Sequence, residues 1–307
     1  MAVASWQMRG VALYVRLTRK KRYATREAGI AFLHSAKGPS DPPPKVLAAC
    51  EVTTHQVQGR DVHVLRRRGA TASEGVVVYL HGGAYTNEIV EQQWAFAAAL
   101  GEQTGLEVHV PIYGLAPHST AVEAVALVRE IVDTVVAQGR PCVLLGDSAG
   151  AGLALVAAQQ AEPQVREGLV GLVLIAPWID LTMSNPAVDA VERTDPWLTR
   201  AGLHPIAQSW AGDLALDDPR VSPLFGVLTD LPPVEVWVGT RDITLPDCRE
   251  LERRMPVGAA FALHVEDGAI HDYPMLPTPE GRAASREMAA RAVALVGAAG
   301  SARGRRA

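Results

Sequence analysis

Residues 142–155 read CVLLGDSAGAGLAL and set one serine between two glycines, Gly146-Asp147-Ser148-Ala149-Gly150. An apolar run stops at Gly146, and small apolar residues at helical spacing follow the serine. The pattern G-x-S-x-G therefore falls where a strand gives way to a helix. The serine is forced into a sharp turn there, and the flanking glycines let strand and helix approach. Its hydroxyl is raised above the C-terminal edge of the sheet, at a helix N-terminus that favours developing negative charge. Such a serine suits nucleophilic attack on an acyl carbon. It needs a base, and the base needs an orienting carboxylate. Downstream stand His204, His264 and His271. His264 falls inside the apolar run FALHV, where a packed or paired strand residue is expected. His204 falls in a Pro- and Trp-rich stretch. His271, in VEDGAIHDYP, lies between the last strand and the last helix, at the same sheet edge as Ser148, and is the candidate base. The acid is expected after the preceding strand, VEVWVG, and Asp242, three residues past Gly239, is the candidate. Asp247 follows Pro246 and precedes Glu250 by three residues, so it reads as the N-cap of a capping box.

Attack on an acyl carbon also needs donors for the developing oxyanion. LHGGAY (80–85) directly follows a strand, and its glycines let backbone N–H groups face a cleft. It matches the HGGG-type motif of lipases and esterases. Gly83, Ala84 and Ala149 are the candidate donors, Gly82 allows close approach, and His81 is expected to brace the loop. Asp147 is read as structural. Tyr85, Tyr113, Trp178, Trp197 and Trp210 are candidates for the walls of an apolar pocket, with core packing the commoner fate of large aromatics.

The elements that must position these groups are legible from about residue 60. Apolar strands (61–67, 75–82, 106–113, 142–146, 168–177, 233–239 and 259–265) alternate with helical patterns, most of which close on glycine. That alternation implies an α/β fold with a mostly parallel central sheet covered on both faces by helices. Two segments break it. Residues 1–45 read as helices followed by the proline-rich SDPPPK, and 180–225 lies between two strands. Both are expected to form a helical cap on a catalytic domain of residues 46–307. The tail SARGRRA (301–307) reads as frayed.

The chain has 307 residues, 48% of them hydrophobic, and a formal net charge of −4. This excludes a disordered chain and gives no nucleic-acid surface. Three unpaired cysteines, Cys50, Cys142 and Cys248, argue against a disulfide framework or a metal site and fit a reducing, cytoplasmic setting. No run is long enough to span a membrane and no signal peptide is read. The start of the chain is strongly basic. It reads as the solvated face of an amphipathic helix with Trp6, Val11, Leu13, Tyr14 and Leu17 partly buried, the alternative being a membrane-surface or anion-binding helix.

In order along the chain, HGGAY, VPIYGLAP, GDSAG, SPLFG, VGTRD and GAIHDY resemble the hormone-sensitive-lipase-like family of α/β-hydrolases, over roughly residues 60–295. The N-terminal segment is similar to that family's cap, and GDSAG to the spelling of one of its large subgroups. The resemblance implies the α/β-hydrolase fold, a carboxylesterase with a Ser148-Asp242-His271 triad, a small acyl-ester substrate and no cofactor. A cap that limits acyl length implies a preference for short esters, up to roughly eight carbons. Two positions depart from the family: Ala84 replaces the third glycine of the oxyanion motif, and Ile243-Thr244 replaces the usual Pro-Leu after the acid. An amidase, deacetylase or lactonase would use the same triad, and a non-catalytic ligand-binding protein would keep the fold alone. Homodimerisation is left open.

Overall fold

A computed structural model describes residues 4–70 and 73–304, with side chains described to residue 300. Eight strands form one sheet: β1 (Cys50–Val57), β2 (Arg60–Arg67), β3 (Val76–Leu80), β4 (Glu107–Pro111), β5 (Cys142–Asp147), β6 (Leu169–Ile175), β7 (Val234–Gly239) and β8 (Phe261–Glu266). Their spatial order is β1-β2-β4-β3-β5-β6-β7-β8. β2 runs antiparallel to both neighbours, and every other pairing is parallel. The architecture is α/β: a mostly parallel sheet with helices on both faces.

The central strands are apolar throughout because both of their faces are covered. All five residues of β3 and all six of β5 are buried. Alternate side chains go to opposite sides: Leu144 joins one apolar cluster, while Val143 and Leu145 join the other. The helix Ala121–Ala137 opens with a Thr120–Glu123 capping box, and Glu91–Thr104 ends on a left-handed Gly105. Because β3, β5, β7 and β8 are mutually parallel, the chain leaves all four at one edge of the sheet. That common edge is why loops far apart in sequence meet.

β1 was not expected. Its sequence, CEVTTHQV, is largely polar and its side chains are mostly exposed, so it lacks the apolar signal of the other strands. It is held by its hairpin with β2, through a turn in which Gln58 and Gly59 both have positive φ (50° and 73°). The C-terminal helix runs from Pro279 to Gly304, so 301–304 is helix where a frayed tail was expected, and 305–307 lie outside the described residues.

The N-terminal segment forms helices Trp6–Thr18 and Arg26–Leu33, and a third, Pro44–Ala49, follows the prolines. The first helix corrects an expectation. Met8, Ala12 and Val15 are its buried residues, whereas Trp6, Leu13, Tyr14 and Leu17 are 73%, 58%, 58% and 71% exposed. Met8, Ala12 and Val15 cover its inner face, while Trp6, Leu13, Tyr14 and Leu17 point outward.

The stretch between β6 and β7 carries helices Val188–Glu192 and Arg200–Ala211. The latter packs on Arg26–Leu33 at very close range: a Cβ at Gly29 would meet the Gly202 carbonyl oxygen at 2.1 Å. Two facing glycines are therefore what lets the N-terminal segment and the later insert join backbone to backbone.

Candidate active site

Ser148 ends the turn between β5 and the helix Ala149–Gln159, with φ 50° and ψ −116°. This strained backbone for a non-glycine residue is held by hydrogen bonds on both sides. Its N–H donates to the Ile175 carbonyl (2.8 Å), and its carbonyl accepts from the N–H groups of Trp178 (3.0 Å) and Gly152 (3.1 Å). The flanking glycines are required sterically. A Cβ at Gly146 would lie 2.5 Å from the Gly150 carbonyl carbon, and one at Gly150 would lie 2.0 Å from the Leu80 oxygen.

The structure brings the three candidate triad residues together. Ser148 Oγ lies 2.9 Å from His271 Nε2. His271 Nδ1 lies 3.0 Å from each oxygen of Asp242. All three are buried, Asp242 completely. Asp242 Oδ1 also accepts from Thr244 N (3.0 Å) and Thr244 Oγ1 (2.9 Å), so the carboxylate is fixed independently of the histidine. Thr244, one of the departures from the family pattern, is thus what orients the Asp242 carboxyl.

Gly83 has φ 118°, and Ala84 takes φ 53° without being glycine. Among the described residues the N–H groups of Gly83, Ala84 and Ala149 have no acceptor, and Gly83 and Ala84 line the same cavity as Ser148. Gly82 instead lies against the Asp147 carboxyl, where a Cβ would strike Asp147 Oδ2 at 2.3 Å. Asp147 accepts from Tyr79 Oη (2.6 Å) and Gln93 Nε2 (2.8 Å), so it ties the loop to the elbow from below. His81 stacks on Tyr113 (4.5 Å between centroids) and contacts the Gly82 carbonyl through Nδ1 (2.7 Å). Burial pushes its pKa down to about 4, so the ring is neutral near pH 7.

Of the five aromatic wall candidates, Trp178 and Trp197 line the cavity and Tyr85, Tyr113 and Trp210 pack in the core. Tyr85 stacks flat on Trp210 at 4.1 Å. Trp197 also presents its ring edge-on to His271. Tyr23, Met183, Leu198 and Leu203 complete an apolar, narrow enclosure. His264 pairs with Glu235 (2.7 Å) and stacks on Trp237, a strand residue as expected. The three cysteines are free and buried, and no cluster of metal-ligating side chains occurs among the described residues.

Two carboxyls here were not expected. Asp195 accepts from Trp197 N (2.7 Å), Leu198 N (3.0 Å) and Ile243 N (2.9 Å). It thereby locks the insert against the loop that carries Asp242. Burial and the neighbouring Asp242 push its pKa up to about 6. Asp272 sits beside His271 in the left-handed region, φ 55°, with Oδ2 3.4 Å from His271 Nε2 and Oδ1 buried with no hydrogen-bond partner among the described residues. Burial raises its pKa well above the carboxylate range. Burial also works against the charged form of His271, yet the Asp242 and Asp272 carboxylates raise its proton affinity overall.

Asp247 is not an N-cap: the helix starts at Leu245, with Thr244 before it. Asp247 is buried and accepts from Asn185 Nδ2 (3.1 Å). Burial and the Asp180 carboxylate raise its pKa to about 7. Unfolded, it titrates at about 4. The folded state therefore keeps a proton that the unfolded state has lost. The resulting destabilisation grows as pH rises from about 4 and is complete above about 7. Asp247→Asn, which mimics the neutral form, is expected to match the parent Tm near pH 4 and exceed it by several degrees at pH 8. Thermal denaturation across that range checks this; a flat difference contradicts it.

A family profile described as "alpha/beta hydrolase fold" matches residues 77–275. The chain is 33% identical over 246 residues to a triacylglycerol lipase of Mycobacterium tuberculosis, covering 79% of this chain and 52% of that protein. It thus spans about half the length of that relative. It is 30% identical over 254 residues to an esterase of Acinetobacter venetianus, covering 78% of this chain and 83% of the esterase. The crystal structure of an esterase from the bacterial hormone-sensitive lipase family superposes with a TM-score of 0.77 at 25% identity, over 96% of this chain and all of that one. No helix among the described residues is long and apolar enough to cross a membrane. The chain belongs to the α/β-hydrolase family, and esterases of the hormone-sensitive lipase family stand among its structural neighbours.

Proposed function

We propose that the protein is a serine carboxylesterase acting on short acyl esters. The observation that carries this reading is the unbroken line of contacts Ser148 Oγ–His271 Nε2 (2.9 Å) and His271 Nδ1–Asp242 (3.0 Å), at the floor of an apolar cavity. Ser148 Oγ attacks the ester carbonyl carbon while Nε2 takes its proton. The carbonyl oxygen becomes an oxyanion held by the N–H groups of Gly83, Ala84 and Ala149. The tetrahedral intermediate collapses, and the alcohol leaves with the proton from His271. Water, deprotonated by His271, then attacks the acyl-enzyme, and Ser148 recovers its proton as the acid departs. Asp242 holds the Nδ1–H tautomer and stabilises the imidazolium. Each oxyanion donor is worth on the order of 3 kcal/mol in the transition state.

Residues up to about 45 and the 180–225 insert act as the cap. What supports this is that Tyr23 from the first, and Met183, Trp197, Leu198 and Leu203 from the second, enclose the space above Ser148. The triacylglycerol lipase and esterase relatives support ester hydrolysis as the reaction class. The narrow enclosure favours short acyl groups.

A panel of p-nitrophenyl esters of increasing acyl length, with matching anilides and lactones, tests the reading. Highest kcat/KM is expected on short esters, falling beyond roughly eight carbons, with anilides and lactones slower. Faster turnover of anilides or lactones would overturn the ester assignment.

A further inference from the structure

The helix Trp6–Thr18 is apolar on two sides. Its inner side is pinned: Met8, Ala12 and Val15 are buried, and Ser5, its N-cap, donates from N and Oγ to the Glu280 carboxylate (2.6 and 2.9 Å). Its outer side cannot turn inward without breaking that anchorage. At about 100° per residue, Leu13, Trp6 and Leu17 fall within about 40° of one another, with Tyr14 about 60° further round. All four are exposed. Arg9 and Arg16, also exposed, lie along the other flank of this stripe. Arg19 and Lys21 extend the positive charge, and among the described residues none of these four basic side chains makes an ion pair or hydrogen bond. The first 26 residues hold seven Arg and Lys and no Asp or Glu, in a chain whose net charge is −4.

We propose that this helix docks the protein on an anionic lipid surface. It lies in the interface plane, with the Trp6, Leu13, Leu17 and Tyr14 side chains at the acyl boundary and Arg9, Arg16, Arg19 and Lys21 among the headgroups. Charge selects this occupant. A second copy of the chain seated on the same face would bring its own Arg9, Arg16, Arg19 and Lys21 against these four, whereas an anionic lipid headgroup neutralises them. The docked helix leads through Lys20–Arg22 directly to Tyr23, which lines the cavity over Ser148, so the site lies next to the surface it docks on. The inference is independent of the reaction catalysed.

The full chain is mixed with vesicles of phosphatidylcholine, with or without phosphatidylglycerol, and sedimented. Binding is expected to be at least about tenfold stronger with phosphatidylglycerol present and to be lost at roughly 0.5 M salt. Trp6 is the most exposed of the six tryptophans, so vesicles should blue-shift the emission of the parent and leave Trp6→Ala unshifted. Arg9→Gln/Arg16→Gln and Leu13→Gln/Leu17→Gln should each weaken binding about tenfold or more while keeping Tm and the hydrolysis of dissolved short esters. Absence of sedimentation, or equal binding to both vesicle types, overturns the proposal. So does a parent dimer in analytical ultracentrifugation that Leu13→Gln/Leu17→Gln dissociates, since a second copy then covers the face.

Discussion

Ser148→Ala is expected to fold as the parent does and to hydrolyse p-nitrophenyl acetate about a million-fold more slowly, as removal of the nucleophile does in a well-studied serine protease. The change deletes one oxygen whose side-chain partner is His271, and leaves intact the backbone bonds to Ile175, Trp178 and Gly152 that hold the turn. Alanine meets the same strain at φ 50° that serine already bears, so Tm should move by no more than a few degrees. The chemistry loses the atom that forms the acyl-enzyme. Residual catalysis then rests on the oxyanion donors and on substrate positioning alone. Steady-state kinetics and a melting curve on one preparation check both halves. Turnover near the parent's in a folded variant would place the nucleophile elsewhere.

Asp242→Asn is expected to lower kcat by about four orders of magnitude. The asparagine Oδ1 can keep the hydrogen bonds from Thr244 N and Oγ1, so the side chain stays where the aspartate was. Its Nδ2–H then faces His271 Nδ1, which must become an acceptor. The ring proton moves to Nε2, which points at Ser148 Oγ and can no longer take a proton from it. KM should change little, because Asp242 is fully buried behind the histidine. Asp247→Asn is the matched control: its carboxyl bonds to Asn185, with no hydrogen bond to His271, so it should alter the pH dependence of Tm and spare kcat. If Asp247→Asn loses turnover and Asp242→Asn keeps it, the acid is misassigned.

The residues that the structure gathers at Ser148 were readable because each announces itself locally. Gly146 and Gly150 mark a turn only glycine can flank, HGGAY follows a buried strand, and His271 and Asp242 each follow a strand whose end is visible as an apolar run. A parallel sheet then brings those ends to one edge, so sequence order alone implied their meeting. What was not readable depends on which surface the rest of the chain covers. The helix Trp6–Thr18 carries apolar residues on two sides, and periodicity cannot say that Ala12 and Val15 face inward while Leu13 and Leu17 face out. β1 is polar because it lies at the edge of the sheet beside β2, with most of its side chains exposed. Asp195 and Asp272 resemble ordinary loop acids, and their placement against His271 and the Asp242 loop arises from the packing of the insert. Asp247 carried an N-cap pattern, yet Thr244, turned by its bonds to Asp242, begins the helix one turn earlier. Tyr23 lines the cavity only because Gly29 and Gly202 let two distant helices touch.

The central claim is that Ser148 is the nucleophile of a working Ser148–His271–Asp242 relay. The most direct measurement is to inactivate the protein with a p-nitrophenyl alkylphosphonate, which phosphonylates an activated serine and releases p-nitrophenolate, and to map the adduct by peptide mass spectrometry. The account predicts stoichiometric release of one p-nitrophenolate per chain, with the adduct on Ser148 alone and no labelling of the Ser148→Ala or His271→Ala proteins. An adduct on any other residue, or activity that survives full labelling of Ser148, would contradict it.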